Sequence, residues 1–116
     1  MIRYVFVAAL LATPVLATQA LAKETKEQSC GYQAQVIQAI QKARLDRVKE
    51  ADVAATIAAS NPTWPAKYSA AIPQFVPWVY SQKKRDLRKT DLGAQLQVQC
   101  LENWDKIQKM QKQLKN

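Results

Sequence analysis

The chain has 116 residues, with 17 Lys or Arg against 9 Asp or Glu, no histidine, two cysteines and a formal net charge of +8. Without histidine, Ser/His/Asp and Cys/His nucleophilic systems and imidazole metal centres are excluded. Two cysteines alone leave a tetrahedral metal site half empty, so neither a metal nor another cofactor is expected.

Met1-Ile2-Arg3-Tyr4 carries one positive charge, Val5 to Leu16 is almost continuously apolar, and Ala20-Leu21-Ala22 places small residues ahead of Lys23. This is the layout of a secretory signal peptide. A helix spanning a bilayer needs roughly 20 apolar residues, more than this run supplies, so cleavage after Ala22 is expected, with no transmembrane segment left behind. The reading is a leader over 1–22 and a single helical domain over 23–116. It places the protein in the periplasm or outside the cell, where nucleic acid is a poor candidate partner. The remainder carries 16 basic and 9 acidic residues, a balance of +7. Phospholipid headgroups, other anionic envelope components and acidic proteins are the partners such a surface attracts, although charge of this size also simply keeps a small protein soluble.

With only Gly31 and Gly93, and with Ala, Gln, Lys and Leu abundant, most segments favour helix over strand. The proline-free stretch from about Ser29 to Ser60 predicts one long helix of about 45 Å, with Ile37, Ile40, Val48, Ala51, Ala55 and Ala58 on one face. Ser60-Asn61-Pro62 stops it, since proline cannot continue the ladder and asparagine tolerates a left-handed cap. Pro62, Pro65, Pro73 and Pro77 punctuate the centre, leaving room for a turn or two of helix over Ala66 to Ile72. Pro77 suits the first position of a second helix running to about Lys89. Thr90-Asp91 resembles the start of a last helix reaching about Leu114. Leu92, Leu96, Cys100, Trp104, Ile107, Met110 and Leu114 mark its apolar stripe.

An even cysteine pair in an exported chain predicts a Cys30–Cys100 disulfide, which sets the middle of the last helix beside the start of the first. A parallel arrangement packs Trp104 to Leu114 along the first helix and gives an up-down-up three-helix bundle, the expected all-α fold, joined through the Pro/aromatic-rich segment. An antiparallel arrangement instead pushes Trp104, Ile107 and Leu114 past Cys30, where only residues 23–29 can cover them. That alternative implies a partner or dimer contact.

The densest unusual feature is the set of aromatics Trp64, Tyr68, Phe75, Trp78 and Tyr80 on proline-braced turns, followed by Lys83, Lys84, Arg85, Arg88 and Lys89. Rings held stiffly lose little entropy on binding, and the cations can steer an anionic partner. The same rings would serve equally to fill a junction between helices, and the same charges to solvate one. Nine scattered carboxylates form no evident acid/base pair; Glu50 and Asp52 face different directions on a helix. An all-helical enzyme gathering Arg44, Arg47 or Arg88 around an anionic substrate, in the manner of secreted chorismate mutases, is the other class weighed.

After Cys100 the chain reads Trp104-Asp105-Lys106-Ile107, a segment that resembles the last helix of small periplasmic acid-stress chaperones, which are helical and carry one disulfide. Fewer than ten residues carry the likeness, and Cys30 and Cys100 lie further apart than in that family. The resemblance implies exposure of apolar surface on acidification. The leading expectation is a non-enzymatic helical protein that binds a protein or envelope partner through Trp64 to Lys89.

Overall fold

The computed structural model describes residues 23–115, so the leader read over 1–22 lies outside the described residues. Six α-helices occur among the described residues, and no strand: α1 (Lys26–Leu45), α2 (Val53–Ala59), α3 (Ala66–Ser69), α4 (Ile72–Ser81), α5 (Lys84–Leu87) and α6 (Leu92–Lys115). The chain is all-α and carries the Cys30–Cys100 disulfide, with α-carbons 5.6 Å apart. It is not the expected three-helix bundle.

The first departure is at the end of α1. The predicted helix over 29–60 starts three residues early, because Thr25 and Gln28 form a reciprocal capping box, and it breaks after Leu45. Arg47 adopts a positive φ of 63°, and the Arg47 and Val48 amides donate back to the carbonyls of Arg44 and Ala43, closing a Schellman-type cap. Burial explains the break. At 100° per residue Val53 and Ile57 would lie about half a turn away from Ile37 on a straight helix. Turning the chain back through the 3-10 turn Glu50–Asp52 lets both join Ile37 and Ile40 in one core, whereas Ala51, Ala55 and Ala58, expected to face inward, are exposed. Asn61 takes the left-handed conformation (φ 52°) that ends α2, as its residue type implies.

The second departure concerns Pro77, which sits inside α4 and does not begin it. Ile72, Val76 and Val79 recur at helical spacing and are buried in the core with α1 residues, and Pro73 occupies the first turn, where its missing donor costs nothing. Burying such side chains is worth about 1.5–3 kcal/mol each, enough to offset the hydrogen bond that Pro77 cannot donate to the Pro73 carbonyl. Gln82 then turns extended, and the segment expected to run on to Lys89 splits into α4 and the short α5.

The third departure decides the topology. Gln41, the one buried polar side chain among the described residues, donates through Nε2 to the carbonyls of Leu87 and Thr90 (2.6 Å each) and accepts from the Leu92 amide (3.1 Å). Asp91 caps the new helix through the Ala94 amide (3.0 Å) and accepts from Gln38. Thus α6 starts beside Gln41, passes Ala34 and Gln38 at Gly93, faces Gly31 with Gln97 and reaches Cys30 at Cys100. The helices α1 and α6 are antiparallel, not parallel.

Gly93 permits this approach: a β-carbon there would fall well inside contact distance of the Ala34 carbonyl oxygen and the Gln38 side chain. Alanine in place of an ordinary helical glycine gains up to about 1 kcal/mol. Here overpacking outweighs that gain, and Gly93→Ala is expected to destabilise the protein by about 1–3 kcal/mol in denaturant titration. Unchanged or raised stability would mean that the two helices lie further apart than described.

Candidate functional site

Beyond Cys100 α6 continues for 15 residues to Lys115, whereas α1 has only four left before its start at Lys26. Roughly 16 Å of α6 therefore overhangs the bundle at 1.5 Å per residue. The apolar stripe does not stop where its cover does. Leu92 is buried and Leu96, Cys100 and Trp104 are partly buried, but exposure rises to 38% at Ile107, 61% at Met110 and 86% at Leu114. The expectation that Trp104 to Leu114 packs along the first helix is thereby corrected, and the reason is the antiparallel register.

Two clefts run along the root of the overhang and share Gln33, Cys100 and Ile107. The smaller, about 250 Å³, is walled by Ile37, Phe75, Leu96 and Asn103. The larger, about 530 Å³, is walled by Lys23, Glu24, Lys67, Tyr68, Trp104 and Gln111. The smaller sets Leu96 and Ile107 of α6 against apolar Ile37 and Phe75, and the larger sets Trp104 and Ile107 against polar Glu24, Ser29 and Lys67.

A hydrogen-bonded cluster builds the far wall of the larger cleft. The single proton of the Tyr68 hydroxyl goes to Glu24 Oε2, so the Ser29 hydroxyl, 3.0 Å away, donates to Tyr68. Lys67 Nζ lies 3.1 Å from Glu24 Oε2 and 5.2 Å from the centre of the Tyr68 ring, and that ring packs against Tyr32 at 5.3 Å. The Tyr68 bond, then Lys67, holds the Glu24 carboxyl below its ordinary value. The bond to Glu24 pushes Lys67 up, and partial burial, then the same carboxylate, pushes Tyr68 up. The chemistry is that of a latch tying the N-terminal segment to α3.

Of the residues singled out in the sequence, Tyr68 and Phe75 reach this site, one in each cleft. All four of Trp64, Tyr68, Phe75 and Tyr80 pack against the core, but Trp64 and Tyr80 line neither cleft. The Trp64 indole donates to Ser69 Oγ (2.9 Å) and the Tyr80 hydroxyl to the Val48 carbonyl (2.6 Å). Trp78 is 39% exposed on α4. The cations stand apart from it around α5: Lys83, Arg85, Arg88 and Lys89 are exposed, Lys84 is half-buried, and Arg85 pairs with Asp86 at 3.7 Å. Arg44 is drawn over the Tyr80 ring, 5.1 Å from its centre, and donates to the Gln82 carbonyl. No cluster of metal-ligating side chains and no helix long and apolar enough to cross a membrane occurs among the described residues.

No protein-family model matches the chain, and neither the curated proteins nor the solved structures yield a match.

Two expectations follow from this geometry. Met110→Lys and Leu114→Lys should each change stability by no more than about 0.5 kcal/mol, as exposed positions do, whereas Ile37→Ala should cost about 2–5 kcal/mol. Thermal denaturation distinguishes them; equal losses at all three positions would place the stripe in a core. The Glu24 latch has a defined pH window. Because its carboxyl is held low when folded, its contribution is complete above the unfolded value of about 4.3 and is lost as pH falls through the lower folded value. Relative to the intrinsic rate at each pH, protection of the Gln28 and Ser29 amides should therefore hold from neutrality down into the ordinary carboxylate range and fall only as the pH drops further, while Glu24→Gln shows the reduced protection at every pH.

Proposed function

We propose that this chain is an exported, non-enzymatic binding protein whose partner-binding surface is centred on the overhanging end of α6. One observation carries the reading: the helix runs past α1, its one long neighbour among the described residues, with its apolar stripe intact, so Ile107, Met110 and Leu114 face solvent. Each would contribute about 1.5–3 kcal/mol if covered. Isolated exposed apolar residues need no explanation, but a row of them, continuous with Trp104 and with two clefts, is what a docking surface presents. The surface therefore shifts from the expected Trp64 to Lys89 segment toward α6, with Tyr68 and Phe75 kept as its walls.

Site-directed photocrosslinking in the producing cell tests this. A crosslinker at Met110 should give discrete adducts, and one at exposed Glu102, which faces away from the stripe, should not. Adducts from position 78 alone would return the surface to α4, and none from either position would remove the reading.

The Glu24–Tyr68–Lys67 latch favours a second reading, an acid-activated chaperone. Protonating Glu24 loosens the wall opposite Trp104 and opens the way to that ring and to Ile107, so binding of an apolar dye that appears only on acidification would support it. Dye binding that is constant from pH 7 to pH 3 would count against it.

A further inference from the structure

Resting on that reading, we infer that the α6 overhang and its flanking clefts seat an acidic, amphipathic helical segment of another protein. Shape supplies the first argument. The apolar stripe lies in the inside corner between the overhang and the end of the bundle, with α3 and residues 23–24 as one wall and α1 and α4 as the other. A flat bilayer meeting the overhang is held off Trp104 and Ile107 by those walls. A rod of helical diameter, about 10 Å, is narrow enough to enter the corner between those walls, where a flat surface is not. From Trp104 to Leu114, beyond the start of α1, the stripe is about 15 Å long, or roughly three turns of a partner helix. Helix-in-groove recognition uses apolar anchors at such a spacing.

Charge supplies the second argument. After Asp105 the chain carries Lys106, Lys109, Lys112 and Lys115 and no further acid. Lys106 borders the stripe, and Lys109 and Lys112 back it on the outer face of the helix. Across the larger cleft Lys67 and Glu24 neutralise one another, which leaves Lys23 there and Lys106 on α6 as the uncompensated charges beside the stripe. A second copy of this chain would set the same lysines against one another, and like charges at an interface oppose association. A partner with apolar residues at i, i+3 or i+4, and i+7 and with Glu or Asp between them satisfies both the stripe and its cationic rim. Gln108 and Gln111 add amide donors on that rim.

The test uses two labelled synthetic helical peptides of about 15 residues, long enough to hold a helix, with identical leucine spacing and either Glu or Lys elsewhere. Fluorescence anisotropy with the native, oxidised protein should show the Glu peptide binding at least about tenfold more tightly, with the preference shrinking as salt rises from about 0.05 to about 0.5 M. Met110→Glu with Leu114→Glu, exposed positions whose change leaves the helical circular-dichroism spectrum intact, should abolish binding. Lys23→Glu with Lys106→Glu should reverse the preference. Equal binding of the two peptides, or none, overturns the inference, as does tighter binding to phosphatidylglycerol vesicles than to the Glu peptide, which would assign a lipid surface. If photocrosslinks from Met110 persist alongside such a result, the acidic-helix partner alone is wrong. If those crosslinks are also missing, the proposed binding surface fails with it.

Discussion

The antiparallel register of α1 and α6 is the constraint on which the other features depend. Three contacts set it along the pair: the Gln41 amide bracketing the turn into α6, the glycine contact at Gly93, and the Cys30–Cys100 bridge. The amide is the least replaceable, because it satisfies two carbonyls and one N–H in a place largely closed to water. Removing it would leave those groups unpaired at about 1–3 kcal/mol each. With the start of α6 pinned to the end of α1, and with α6 the longer helix, the excess length has one direction to go. It projects beyond Lys26, and the apolar stripe projects with it.

The disulfide has a different task in this arrangement. It lies about one turn short of the start of α1, so it stops the pair from splaying near where the apolar contacts give out. Closing a loop of 70 residues is worth roughly 4 kcal/mol in the chain-entropy model, a large share of the about 5–15 kcal/mol that holds a typical domain together. A small core therefore supports a long unsupported helix because the bond sits at the root of the overhang. Cys30 is fully buried, and partly buried Cys100 lines both clefts, which makes the staple part of the floor of the candidate site.

The aromatics show how far residue type could locate the site. Five rings run from Trp64 to Tyr80: four of them pack at the margin of the core, of which only Tyr68 and Phe75 also line the clefts, and Trp78 is exposed. Nothing in their local spacing separates these fates, because each is settled by which helix passes nearby. The α6 residues were visible as a stripe from the start. Their exposure was visible only as a consequence of one of two topologies, and apolar periodicity is the same whether or not a neighbour covers it.

The sequence by itself determined the helical class, the cysteine pairing, the stop at Asn61 and the start of the last helix at Asp91. These follow from local propensity, capping chemistry and the reactivity of an even thiol pair, which need no knowledge of distant residues. The capping box at Thr25 and the half-turn offset of Val53 and Ile57 from Ile37 were equally local, and they mark where α1 truly begins and why it ends. Only the tertiary structure decided the direction of α6 against α1, the retention of Pro77 inside α4 and the emergence of Ile107, Met110 and Leu114 from the core. Each turns on burial summed over elements far apart in the chain. A bridge between Cys30 and Cys100 brings two helices together without saying which way the second one runs.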